Sequence, residues 1–448
     1  MSKKEKKPFD PDKVGFGRLF AWNSRTLSIA VLSIIMGYVQ MYCTDVLGMQ
    51  AVLIGSIIFV SNICNGITDL IAGWIVDNTN TRWGKARPYE FCIIGVWIAT
   101  ACIFSTPASW GTTGKTVWLF IMYTLLYAVF YTMLAAAETP YVIRAFGTNN
   151  AIVKVSSYGG VITTLGAMIV SMVFPIVVSN MGKDAGSWRR TLITIAVPCA
   201  LIGLFRFIFV KEDRIQYIEN AGYGETEADE HVSVKEMLKM IFHNKYLWIF
   251  AFITGLPMMI GGFYAHTYYF NVIVGDISKY SYISMASVFL ILFMFLVPVL
   301  MKKFKTIEIV VLFSALGIAG GLVNYFAGTN IAVLFVGAVG TGAACMPYSY
   351  LKSPLILQIS NYNQRVGNKR MEATVASFTS FMTLVMQAFG SFVFGVILSS
   401  SGYDGTLDVQ LPSVVTAIKI SYSLIPAAAY AVVIVLCYLF RPIDKEAA

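Results

Sequence analysis

The chain is short of charge. Asp, Glu, Lys and Arg make up 13% of its 448 residues, about half the roughly 25% of an ordinary soluble domain, and that excludes a soluble fold for most of the length. Histidine is scarce too: His231, His243 and His266 are the whole set, and they form no ligand cluster. The seven cysteines (Cys43, Cys64, Cys92, Cys102, Cys199, Cys345, Cys437) fall in or beside apolar runs and never as Cys-x-x-Cys, so they are expected to be buried small hydrophobes rather than disulfides or metal ligands. There is no serine–histidine arrangement and no phosphate-binding glycine loop. A membrane enzyme or a lipid-linked glycan flippase therefore finds little support, and no metal or organic cofactor is expected.

What is abundant is hydrocarbon. Hydrophobic residues are 57% of the chain. Apolar runs long enough to cross a bilayer, about 20 residues each, occur near 24–47, 51–77, 89–107, 117–143, 151–180, 190–211, 246–274, 281–301, 306–327, 331–358, 373–400 and 414–440. The chain is thus expected to be an all-α membrane protein with twelve transmembrane helices. The N-terminus is basic but passes Pro8 and Pro11 before any apolar residue run, so the first span is expected to serve as the insertion signal.

Lys and Arg orient the spans. With twelve crossings both termini share one side, and most of the 33 basic residues fall there, including Lys3, Lys4, Lys6, Lys7, Lys302, Lys303, Lys305, Arg365, Lys369 and Arg370. That bias makes both termini cytoplasmic, in the cell membrane. It also accounts for the net charge of +9 through anionic headgroups, without any nucleic-acid partner. The clearest basic connector is TRWGKARPYE, Thr81 to Glu90. Arg82, Lys85 and Arg87 cannot sit in hydrocarbon, Gly84 marks a turn, and Pro88 suits the first turn of the next helix. This connector is expected to take part in conformational change.

Six spans precede and six follow one long polar stretch, which divides the chain into an N-terminal bundle (1–210), a cytoplasmic linker (211–245) and a C-terminal bundle (246–448). Within the linker, Ser233 to Phe242 has the spacing of a short amphipathic helix, with Ser233 and Glu236 as a capping box. Two six-helix bundles joined in this way are the layout of a major-facilitator transporter, in which the bundles rock about a central site.

Polar groups inside the spans mark that site, because an ionised side chain at the bilayer centre costs roughly 2.5–3.5 kcal/mol and usually faces a cavity or a partner. Asn62, Asn65 and Asp69 share one face of the second helix. Glu138 precedes Pro140 in the fourth, so a distortion is expected there. Arg25 lies in the first span and Lys352 in the tenth, flanked by Tyr348 and Tyr350 and interrupted by Pro347 and Pro354. Arg206, near the inner end of the sixth, is expected to snorkel. The bland alternative is internal pairing of Asp69 or Glu138 with Arg25 or Lys352 that only locks helices together.

Three stretches resemble the glycoside–pentoside–hexuronide:cation symporters, the sugar transporters typified by the melibiose permease. They are YCTDVLGM (Tyr42 to Met49), ITDLIAGWIVDNTNTRWGKARPYE (Ile67 to Glu90) and NYNQRVGNKRMEA (Asn361 to Ala373). The resemblance implies the major facilitator fold over essentially the whole chain. It also implies cation-coupled sugar symport by alternating access, with a monovalent cation, H⁺ or Na⁺, near Asn65 and Asp69. Sodium-coupled members carry two carboxylates on the second helix; here the first position is Asn65 and the second Asp69. Glu138 falls where the family has an Asp that accepts from sugar hydroxyls. The fifth-helix Arg expected near Tyr158 is absent, with Lys154 the nearest cation. The eleventh-helix Lys position is Gln387, and the connector carboxylates are Gln358 and Asn361.

Sugar hydroxyls need donors, acceptors and an aromatic face, which Glu138, Tyr141, Tyr348, Tyr350, Thr383 and Gln387 could supply. Arg25 and Lys352, if unpaired, would favour an anionic uronide; neutralised, they would leave room for a neutral glycoside. A uniporter or exchanger without ion coupling, and a non-transporting membrane sensor of transporter ancestry, stay open.

Overall fold

A computed structural model describes residues 13–213, 240–300, 302–365, 372–407 and 409–446. Most of the expected Ser233–Phe242 helix, residues 366–371 of the last quoted stretch and the side chain of Tyr350 lie outside what is described.

Among the described residues the regular structure is helical, with one isolated bridge between Thr81 and Gly84. The helices are α1 (Phe16–Met36), α2 (Ala51–Asp77), α3 (Cys92–Ile103), α4 (Thr112–Phe146), α5 (Asn149–Met181) and α6 (Ala185–Phe209). Then come α7 (Lys245–Ile273), α8 (Ala286–Leu300), α9 (Thr306–Ala327), α10 (Ile331–Ala343, resumed as Met346–Arg365), α11 (Glu372–Ser401) and α12 (Pro412–Tyr422, resumed as Leu424–Glu446). Ten of them are long and apolar enough to cross a membrane. The other two, α3 and α8, are shorter as unbroken helices: the 3-10 turn Arg87–Phe91 precedes α3, and the 3-10 turn Ile277–Lys279 with the short helix Tyr280–Ser284 precedes α8. Large apolar side chains such as Phe209, Phe326, Val336 and Leu439 remain exposed on the outside, as a hydrocarbon solvent requires.

Helix starts follow local chemistry. The side chains of Thr148, Asp184, Asn244 and Asn330 accept backbone N–H groups at the starts of α5, α6, α7 and α10. The Ser187 hydroxyl, with the N–H groups of Ser187 and Gly186, holds the exposed Asp184 carboxyl below its ordinary range. Pro347 sits in the first turn where α10 resumes, so the interruption falls just before it, at Ala344–Cys345. Helix α4 runs through Pro140 unbroken; its irregularity is a π turn at Leu125–Tyr131 instead.

The two halves share one device. The π turns Tyr42–Val46 and Tyr269–Ile273 follow breaks in α1 and α7, and each leads to a left-handed glycine, Gly48 (φ 65°) and Gly275 (φ 74°). Tyr42 donates to the Phe104 carbonyl at 3.1 Å, after α3, and Tyr269 to the Gly328 carbonyl at 2.7 Å, after α9. The halves meet where α2 lies along α11 and α5 lies against the turn before α8, and where Gly37 and Thr44, after the break of α1, meet Tyr264 and Tyr268 of α7. Small residues allow the close approach: a Cβ on Gly55 would stand 2.7 Å from the Ser391 carbonyl, and one on Gly395 2.6 Å from that of Ala51.

Candidate functional site: a neutral cavity, an oxygen triad and a charge quartet

A cavity of about 210 Å³ lies between the halves, enclosed by α1, α2, α4, α7 and α11. Its polar groups are uncharged: Asn62, Asn65, Gln387, Ser33, Ser391 and the phenols of Tyr123, Tyr127, Tyr131 and Tyr264. Tyr123, Tyr127 and Tyr131 recur every fourth residue and stack down one face of α4, with ring centroids 4.8 and 5.9 Å apart. That periodicity was visible in the sequence and is the signal that would have found them.

Below this cavity three oxygens converge. Thr132 Oγ1 stands 2.5 Å from Asn65 Oδ1 and 2.7 Å from Asp69 Oδ1. Thr132 is buried within α4. A hydroxyl carries one hydrogen, so it cannot donate to both acceptors. A proton or a monovalent cation shared among them would draw the three oxygens together. Among the described residues no cation pairs with Asp69, so helix locking through Asp69 is not what the fold uses.

Helix locking is what Glu138 does. Arg25 is ion-paired with Glu138 and lies 3.1 Å from Glu90; Arg206 lies 2.5 Å from Glu138 and 3.7 Å from Glu90. Arg206 also donates to the Trp22 carbonyl at 2.6 Å and packs over the Trp22 ring, while Arg25 donates to the Leu134 carbonyl. Two arginines and two carboxylates balance, and three of the four are buried; only Glu138 is partly open, with 38% of its side chain exposed. Arg206 is therefore no snorkelling residue: it is fully buried because Glu138 and Glu90 neutralise it. Arg25 is likewise occupied and is not a free cation for an anionic substrate. Glu90 was missed as a partner because sequence places it in a surface connector, whereas the 3-10 turn carries it inward.

Tyr141 requires the same correction. It is wholly buried, and its hydroxyl donates to the Val210 carbonyl at 2.7 Å, closing the bottom of the first half rather than facing a substrate. Tyr348 is buried in the core of the second half. Thr383 donates to Thr379 on its own helix at 2.7 Å, and Lys352 donates to Ser380 at 2.9 Å across α10 and α11. Of the expected substrate residues whose side chains are described, Gln387 lines the central cavity, together with Tyr264.

The basic connector wraps a carboxylate. The N–H groups of Lys85, Ala86 and Arg87 donate to Glu212 at 3.0, 2.8 and 2.8 Å. Gly84 is needed twice: its φ is 118°, and a Cβ there would collide with the Glu212 carboxylate. Arg87 turns back to donate to the Phe207 carbonyl and lies over the Phe207 ring. At the opposite end, Asp45 is buried and accepts from Thr44 at 2.7 Å, from Tyr403 at 2.6 Å and from Asn271 at 3.0 Å, the last two in the other half.

Two six-helix halves around a central polar cavity define a major facilitator transporter, not an enzyme. The chain belongs to the family of MFS/sugar transport proteins, whose pattern it matches over residues 27–445. It is 24% identical over 426 residues to the isoprimeverose transporter of Lactiplantibacillus pentosus, covering 92% of this chain and 85% of that one. A putative glycoside/cation symporter of Escherichia coli (strain K12) is 24% identical over 97% of this chain and 92% of its own. Among solved structures, the nucleoside transporter NupG superposes with a TM-score of 0.68 at 14% identity, over 96% of this chain and all of that one. A D-xylose–proton symporter superposes at 0.59 and 14% identity, over 95% of each chain. These two show the fold alone.

Proposed function

We propose that the protein imports a neutral glycoside by proton-coupled alternating access, with both termini in the cytoplasm. The observation that carries this is the polar lining of the central cavity, which among the described residues is amides, phenols and hydroxyls, with no charge. Such a surface offers each sugar hydroxyl a donor or acceptor and each ring an aromatic face, and gives a uronide carboxylate no partner. The cations that would favour an acidic sugar are elsewhere, Arg25 and Arg206 with carboxylates and Lys352 with Ser380. The names of the relatives, an isoprimeverose transporter and a glycoside/cation symporter, agree with a sugar cargo.

Coupling runs through Asp69. With Asn65 in place of a second carboxylate, the oxygen triad carries one negative charge, which a single proton neutralises. Protonated Asp69 donates to Thr132 and Thr132 to Asn65, whose amide hydrogens then face the cavity as donors for a sugar hydroxyl. Loading the proton thus presents a better sugar site, and each ligand strengthens the other by the same factor. The bonds between halves gather at the end away from the termini, around Asp45, so this conformation is closed outward.

The test is sugar-driven proton movement in proteoliposomes. Addition of a transported glycoside should alkalinise the side from which it is taken up, and Asp69→Asn should abolish uphill uptake while sparing exchange of internal for external sugar. Uphill uptake by Asp69→Asn at the wild-type rate would overturn the role given to Asp69.

A further inference from the structure

Just after the break of α1 stands a buried glutamine with nothing to bond. Gln40 is 1% exposed, and neither its Nε2 nor its Oε1 has a partner among the described residues. The polar side chains of the next turn are all paired. Thr44 hydrogen-bonds Asp45 and Tyr268, and Asp45 accepts from Tyr403 and Asn271. The matching position in the second half is satisfied too. Tyr42 and Tyr269 open the two π turns, so Gln40 corresponds to Thr267, which is also 1% exposed and donates to the Tyr264 carbonyl at 2.8 Å. The fold can therefore pair a polar side chain at this place, and the first half leaves it bare.

Gln40 lies on the face of the first span that runs from the central cavity to the outer seam between the halves. Ser33 lines the cavity, a Cβ on Gly37 would be 3.3 Å from the Tyr264 ring, and Thr44 is 3.0 Å from the Tyr268 hydroxyl. Ser33, Gly37, Gln40 and Thr44 are spaced by four, three and four residues, which is one helical face. Val39 and Cys43 turn away from it, onto Ile57, Ile58 and Leu119 of the first half. When the halves part at this end, the face becomes a wall of the passage and Gln40 meets water. Closure strips the amide of that water and returns no bond, which shifts an equilibrium by about ten-fold or more.

The closed seam carries a second cost at the same level. Tyr264, against Gly37, is among the described residues the single non-glycine residue in the left-handed region, with φ 49° and ψ 26°, and such strain collects at switching segments. The bonds around Asp45 hold the seam shut, while the Gln40 amide and the Tyr264 backbone oppose them.

We infer that Gln40 is a destabilising element of the outer gate: its unpaired amide offsets the bonds around Asp45, so that the outward-closed protein reopens between cycles instead of resting closed.

Cysteine labelling of the full-length protein in cells tests it without any substrate. Ile277→Cys places a thiol on the second half at the outer seam, where Ile277 lines a cavity with Met41 and Asp45. Its modification by a membrane-impermeant maleimide, counted above that of the chain without it, reports opening. Added to it, Gln40→Met, apolar and of similar length, should slow labelling about ten-fold and raise the melting temperature of the purified protein in detergent. Gln40→Leu repeats this with a different shape, so that a misfit of one side chain does not decide the matter. Gln40→Glu buries a group that closure penalises more, so labelling should quicken and the melting temperature fall. A glutamine that serves packing alone would melt lower with either apolar side chain. Labelling unchanged or faster in both apolar variants, or a lower melting temperature in both, overturns the proposal and leaves the transporter reading intact.

Discussion

Asn65→Asp is the most informative single change, because it restores a second carboxylate to the oxygen triad without adding bulk. Thr132 Oγ1 stands 2.5 Å from the Asn65 oxygen and 2.7 Å from that of Asp69. Two carboxylate oxygens held by the same hydroxyl are therefore within about 5 Å of each other, and at an effective dielectric near 20 their repulsion is about 3 kcal/mol when both are ionised. A bound Na⁺ relieves it. Since about 1.4 kcal/mol is ten-fold, the variant should gain on the order of 100-fold in Na⁺ affinity relative to the wild type. Two negative oxygens plus the Thr132 hydroxyl also form a better hard-cation site than one carboxylate and an amide.

The assay is glycoside binding in K⁺ and in Na⁺ at pH 8. Wild-type affinity should be nearly the same in both salts, whereas the variant should bind sugar markedly tighter in Na⁺. In proteoliposomes the variant should accumulate sugar on a Na⁺ gradient that does not drive the wild type. An identical salt response in wild type and variant would refute the claim that these three oxygens are the coupling site.

Three further outcomes follow from other parts of the fold. Arg206→Gln leaves Glu90 and Glu138 sharing Arg25 in a buried place, so it should lower stability by about 3–5 kcal/mol, seen as a lower melting temperature in detergent; the double change with Glu138→Gln should recover part of it. Gly84→Ala forces a left-handed residue against Glu212 and should loosen the connector, so proteolysis between residues 79 and 90 should quicken, and Glu212→Gln should do the same more weakly. Asp45→Ala removes the acceptor for Tyr403 and Asn271, and two hydrogen bonds to a charged group are each worth about 1.5–3 kcal/mol. Cysteines placed near Ile277 should then become accessible to a membrane-impermeant thiol reagent from outside.

The amino-acid sequence by itself determined the solvent and the all-helical, membrane-spanning class of the chain. Those follow from the length of apolar runs and from where Lys and Arg cannot go, and both are local properties. It also set Asn65 and Asp69 on one face of α2, because a helical face is a matter of spacing along one stretch of chain. Partnership was different. Whether Arg25 waits for a substrate or is already neutralised depends on Glu90 and Glu138, which lie 65 and 113 residues further along the chain; their approach exists only after α1, α4 and α6 have packed. The same holds for Tyr141, whose hydroxyl looked free until the end of α6 supplied the Val210 carbonyl. Thr132 carried no signal as one threonine among many, and became the centre of the oxygen triad because the π turn just before it changes the helical register that α4 presents to α2. Charge and hydropathy are summed residue by residue along the chain, whereas neutralisation and cavity shape depend on pairs of helices, so only their packing could decide which polar side chains face the cargo.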